Sequence, residues 1–149
     1  MTKLCALKIR TSIKKSRTVQ RSLRTLGLKK LYSCTLLNDT DSVKGILKAA
    51  ESTMTYGEIN KETLKKLLLR RSKISNSKKY EWTEEQLDKF AQDIIDGKSD
   101  LKQLKIKNVF NLHPPIHGFD KKGKKAPFSV RGSFGYRGEE INKLLERMI

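Results

Sequence analysis

The sequence predicts a small two-layer α+β domain at the front of the chain, built as a strand, helix, strand, helix and strand. Three observations predict it. Cys5, Leu7 and Ile9 alternate with Ala6, Lys8 and Arg10, the period of a strand with one buried face. Val19, Leu23 and Leu26 then recur at helical spacing, as do Val43, Ile46, Leu47, Ala50 and Met54 further on. Between the two stripes, Lys30 to Leu37 is rich in Leu, Tyr, Cys and Thr without helical period, so it reads as a strand.

The connection from Thr11 to Lys15 is short and polar, and Ser12, Lys14 and Lys15 bring donors to the start of the first helix. Ser16 caps that helix, and Gly27 is placed to stop it in the left-handed conformation that other residues avoid. At about 100° per residue, Arg17, Arg21 and Arg24 point away from its apolar stripe. With Arg10, Lys14, Lys15, Lys29 and Lys30 they form a first candidate phosphate-facing surface.

Asn38 to Asp41 turns the chain, and Thr40 or Asp41 caps the second helix. Gly45 breaks its pattern, falling about 160° from the stripe, where core packing cannot explain it. A helix-interior Gly costs roughly 1 kcal/mol relative to Ala. It is either a tolerated surface Gly or a place where RNA or another chain passes close, flanked by Lys44 and Lys48. Thr55 to Ile59 is the third strand.

Asn60 caps a helix with Leu64, Leu67 and Leu68 inward and Arg70 and Arg71 at its negative end. Ser72 to Tyr80 reads as a polar linker. Trp82 to Gly97 has the fullest helix grammar: Thr83 and Gln86 as a capping box, a stripe from Leu87 through Phe90, Ala91, Ile94 and Ile95, and Gly97 as stop. Its acids, Glu84, Glu85, Asp88 and Asp93, suit the helix dipole and a solvated face better than catalysis.

After a short strand at Val109 to Leu112, residues 113 to 137 have little periodicity and hold all three prolines. Lys121, Lys122, Lys124, Lys125, Arg131 and Arg137 are interleaved with Phe119, Phe128, Phe134 and Tyr136. Basic side chains neutralise phosphates and aromatics stack on exposed bases, which makes this a second candidate RNA surface, with His113 and His117 included. The alternative is a basic loop whose aromatics tuck into the core. The two histidines are four apart, but Pro114 and Pro115 forbid the helix that would align them on a metal. Gly132, Gly135 and Gly138 match neither the dinucleotide fingerprint nor a phosphate-binding loop, so no cofactor is expected. Glu139 to Ile149 is a last helix with Ile141, Leu144, Leu145 and Met148 inward.

Charge narrows the function. The net charge is +17, and residues 1 to 38 hold ten Lys and Arg with no Asp or Glu. Residues 39 to 100 hold twelve of each sign, and residues 101 to 138 hold nine basic and one acidic. Two basic blocks bracketing a neutral middle suit two surfaces gripping a polyanion. Cys5 and Cys34 lie in strands as buried reduced thiols, and two cysteines make no zinc site. No apolar run approaches the roughly 20 residues of a membrane span, so the expected location is the cytoplasm.

Leu26-Gly27-Leu28-Lys29-Lys30 and Asp39-Thr40-Asp41-Ser42-Val43-Lys44-Gly45-Ile46 resemble the core of the universal large-subunit ribosomal protein family called L thirty in prokaryotes and L seven in eukaryotes. Thr55-Tyr56-Gly57-Glu58, Leu112-His113-Pro114-Pro115, Gly118-Phe119 and Gly135-Tyr136-Arg137-Gly138-Glu139-Glu140-Ile141-Asn142 resemble its long archaeal and eukaryotic branch. The resemblance implies a β-α-β-α-β core with a three-stranded antiparallel, ferredoxin-like sheet over residues 1–59, and a mostly helical subdomain over 60–149. It also implies a structural, non-enzymatic role on the cytoplasmic ribosome, with large-subunit ribosomal RNA, five-S RNA and neighbouring ribosomal proteins as partners. An RNA-processing enzyme is one alternative, but no nucleophile, metal cluster or acid-base pair stands out. A chromatin-like DNA binder also fits the charge, and it would prefer duplex DNA to folded RNA at matched salt.

Overall fold

Strand β1 (Lys3–Lys8) is the centre of a mixed five-stranded sheet in the computed structural model, which describes residues 3–73, 80–99, 101 and 103–149. It is flanked by β2 (Ser33–Asn38) and β3 (Met54–Glu58), both antiparallel to it, with Leu7 opposite Cys34 on one side and Thr55 on the other. Strand β4 (Val109–Asn111) adds antiparallel to β2, and β5 (Gly135–Tyr136) adds parallel to β3. The fold is therefore α+β, with the antiparallel trio in the middle and an edge strand on each side drawn from the second half of the chain.

The alternation in β1 predicts one buried face; both faces are buried. Leu4 and Ala6 pack with Val19, Leu23, Leu26 and Leu47 of the helices α1 (Arg17–Thr25) and α2 (Asp41–Ala49) and their flanks. Cys5, Leu7 and Ile9 turn the other way. They share a core with α3 (Lys61–Arg71), α4 (Glu84–Ile95) and α5 (Ile141–Glu146), in which Leu64, Leu67, Ala91, Ile94 and Leu144 are buried. The chain after Ile59 thus places a third layer on the sheet face that a two-layer domain would leave to water. Period two reports a strand, and only long-range packing decides which of its faces are covered.

Local signals explain most element ends. Ser16 accepts from the Val19 amide at 3.4 Å, Thr40 from Val43 at 3.3 Å, and Asn60 from Thr63 at 2.9 Å. Gly27 follows α1 at φ +74°, a region where a side chain would be strained. Thr83 has the extended backbone of a cap, but its hydroxyl accepts no bond, so the expected capping box is not made. Met54, read as the end of a helical stripe, instead opens β3. A 3-10 turn over Glu51–Thr53 redirects the chain there, held by the Thr53 hydroxyl donating to the Ala50 carbonyl at 2.8 Å. Most of the linker expected over Ser72 to Tyr80 lies outside the described residues.

The last segment docks by close backbone approach. A Cβ on Gly57 would lie 2.0 Å from the Gly138 carbonyl oxygen, so β3 carries Gly where the turn Gly138–Glu140 presses on it. The buried Asn142 amide then donates to the carbonyls of Glu58 and Glu139, at 3.0 and 2.8 Å, and its oxygen accepts from the Asn60 amide at 3.0 Å. Cys5 and Cys34 are buried free thiols. The hydrogen bond between them, together with burial, holds the Cys34 thiol well above its ordinary pKa, leaving it unreactive.

Candidate nucleic-acid interface

Both basic blocks reach the end of the sheet where β1 finishes and β2 and β3 begin. Lys8 stands opposite Met54 and Leu7 opposite Cys34, so the turns on either side of α1 leave from that end. The segment from residue 113 to 137 runs from β4 at one edge of the sheet to β5 at the other. On the way its Lys124 ammonium donates to the Tyr32 hydroxyl at 2.6 Å and lies 4.9 Å from the ring centres of both Tyr32 and Phe119. Tyr32 is two residues past Lys30, so the two basic blocks meet at this point.

Most of the residues read as RNA-facing are open to solvent. Lys14, Arg17, Arg21, Arg24, Lys29 and Lys30 are exposed, and Arg10, Ser12 and Lys15 are half-buried. Arg10 is pinned by donation to the Ser52 carbonyl at 3.1 Å. The N-terminal turn of α1 has no acidic residue, although the positive end of the helix dipole favours one. Arg17, Arg21 and Arg24 are spaced as like-charge neighbours on one helix face, which costs a few tenths of a kcal/mol per pair. Local stability is not what that face is arranged for.

In the second block His113, His117, Lys121, Lys122, Lys125 and Arg131 are exposed, while Lys124 and Phe119 are half-buried around Tyr32. Phe119 therefore packs where it was expected to meet bases. Tyr136 is 53% exposed, its ring tilted over Tyr56 at 5.6 Å. Its hydroxyl donates to Glu58 at 2.6 Å, and that bond, with burial adding to it, raises its pKa to about 12.

Arg137 corrects the expectation. Its side chain is 3% exposed and pairs with Asp120 at 2.7 Å, donates to the Ser133 carbonyl at 3.2 Å and lies 4.3 Å from the Phe128 ring centre. A guanidinium committed in this way cannot reach a phosphate. It does neutralise Asp120, the only acid between residues 101 and 138, leaving Lys121, Lys122, Lys125 and Arg131 without a carboxylate partner among the described residues.

On the helical side, Lys44 is tied to Asp39 at 2.9 Å, a contact that raises its pKa, whereas Lys48 is exposed. Gly45 between them faces open space, with nothing within 4 Å of an added Cβ. Gly45→Ala is expected to stabilise the protein by about 0.5–1 kcal/mol in a urea titration. It should weaken RNA binding if a backbone passes there, and unchanged affinity would leave Gly45 as a plain surface residue.

Two features were not visible in the sequence. Ile13, at 76% exposure, and Ile116, at 65%, stand among the cations and offer apolar contact to a sugar or base. Lys8, which the strand pattern places on an open face, is buried beneath the turn after α1. Among the described residues no group of three or more His, Cys, Asp and Glu could hold a metal ion, and no helix is long and apolar enough to cross a membrane.

A family model described as ribosomal protein L30p/L7e matches residues 7–52, which span the first surface and the helices behind it. Over nearly the whole chain it is similar to proteins named large ribosomal subunit protein uL30. The one from Methanococcus maripaludis is 34% identical over 149 aligned residues, covering 96% of this chain and 97% of that protein. The one from Archaeoglobus fulgidus is 37% identical, covering 95% and 97%, and that from Sulfurisphaera tokodaii is 42% identical, covering 88% of each. Likeness of this degree, extending from the basic front through the third layer to the last helix, makes the chain a member of the ribosomal protein L30p/L7e family.

Proposed function

We propose that the protein is a structural constituent of the large ribosomal subunit, acting on the cytoplasmic ribosome by binding and bracing large-subunit ribosomal RNA. The observation that carries this is the gathering of exposed cations from the two basic blocks at one end of the sheet, in a chain whose relatives bear the large-subunit name. Residues 1–59 serve as the RNA-binding core. Residues 60–149 serve as an appended subdomain whose basic segment, anchored through Tyr32 and Arg137, extends the same surface. Neighbouring ribosomal proteins and five-S RNA are further partners in this reading, and no chemistry is assigned to the chain.

Sedimentation of a native lysate through a sucrose gradient tests it. The protein should comigrate with the large subunit and remain there through a high-salt wash. Migration as a free protein, or with chromatin, would overturn the reading. Single exposed-lysine variants such as Lys122→Met should weaken RNA binding evenly across sequences and reduce the salt slope by about one unit or less.

A further inference from the structure

Lys8 is a lysine with no anion. It is 5% exposed, and its ammonium donates to the carbonyls of Leu28 at 3.2 Å and Lys29 at 2.9 Å. An ammonium has three donors, so two are used. The first 38 residues contain no Asp or Glu, and none of the ion pairs among the described residues includes Lys8. Burying a charge without a counter-charge is costly, and burial here pulls the Lys8 pKa below its ordinary value.

A pocket of about 210 Å³ opens beside it, lined by Lys8, Ser12, Gln20, Arg24 and Lys29, with Leu23 among its apolar walls. The Gln20 amide that borders it is fixed by donation to the Lys15 carbonyl at 3.0 Å. Three cationic side chains thus line one cleft with no acid from their own part of the chain. If Lys8 served only to staple the Leu28–Lys29 turn, the two carbonyl bonds would suffice, and the neighbouring cations would only oppose its charge.

We infer that this pocket is an oxyanion site that seats one backbone phosphate of RNA against Lys8, Arg24 and Lys29. The inference rests on the RNA-binding reading and sharpens it. Most of the basic surface attracts a polyanion without fixing its position, whereas a pocket lined by one buried and two exposed cations offers a single phosphate a defined seat.

The test is an amide NMR titration of the full chain with inorganic phosphate at constant ionic strength, paired with RNA affinity measured against salt. Shifts should saturate and concentrate near residues 8, 12, 24, 28 and 29. Lys8→Met should weaken phosphate at least tenfold, and Arg24→Gln, an exposed change that leaves the core untouched, at least threefold. Lys98→Met, exposed and outside the pocket, should match the unmodified protein. Each pocket variant should also lower the RNA salt slope by about one. Non-saturating shifts spread over all exposed lysines, an unchanged phosphate affinity in Arg24→Gln, or pocket variants with an unaltered RNA slope would each overturn the site. The broader reading fails separately, through loss of comigration with the large subunit, and that result would leave the phosphate titration intact.

Discussion

Replacing Arg17, Arg21 and Arg24 together by Gln is expected to lower affinity for large-subunit ribosomal RNA by two to three orders of magnitude at about 0.1 M salt. Each phosphate contact contributes about 0.9 to the slope of log K against log salt, so at 0.1 M each supplies close to one decade. Three lost contacts should also flatten that slope by about 2.7. Stability should move the other way or not at all. The three side chains are exposed, and removing them relieves like-charge spacing on one helix face and an arginine at the wrong end of the dipole. Fluorescence anisotropy over a salt series, with a thermal melt of the same variant, measures both. A fall in affinity with an unchanged slope would mean that α1 contacts RNA by something other than charge.

Arg137→Met is expected to have the opposite signature, a loss of about 3 kcal/mol in stability, with RNA contact affected only through the fold. Removing one partner of a buried pair leaves the other charge uncompensated, at a cost of about 3–5 kcal/mol, and the low end applies because the Asp120 side chain is 29% exposed. The change also strips a partner from the Ser133 carbonyl and removes the cation over Phe128. For a chain of this size the loss corresponds to a melting temperature lower by about 6–12 °C. Asp120→Asn should cost less, since an amide oxygen still accepts from the guanidinium. If Arg137→Met melted like the unmodified protein but bound RNA more weakly, Arg137 would belong to the surface after all.

These two arginine sets mark the limit of sequence reading. Both stand in basic stretches, where composition predicts RNA-facing side chains. In α1 a 3.6-residue period with Val19 and Leu23 inward forces Arg17 and Arg21 outward. Arg137 had no period around it. Its burial follows from Thr55 and Asp120 meeting the Phe128 and Ser133 side of its own irregular segment, a coincidence in space that no periodic pattern signals.

What the sequence alone determined were the quantities set within a few residues: caps at Ser16 and Asn60, the choice of Thr40 or Asp41 for the second helix, the stop at Gly27, the inward faces of the helices, and two basic runs that hold a single acid between them. The family was legible too, because its motifs keep their order along the chain. Tertiary structure decided the rest. It covered the second face of β1, docked Gly138 on Gly57, joined the two basic blocks at Tyr32 and left Lys8 buried without a counter-ion. Hydrophobic periodicity states which side of an element avoids water, but not what covers it. The covering comes from distant stretches of the chain, α5 over β1 among them, through packing, backbone approach and hydrogen bonds that no short window contains.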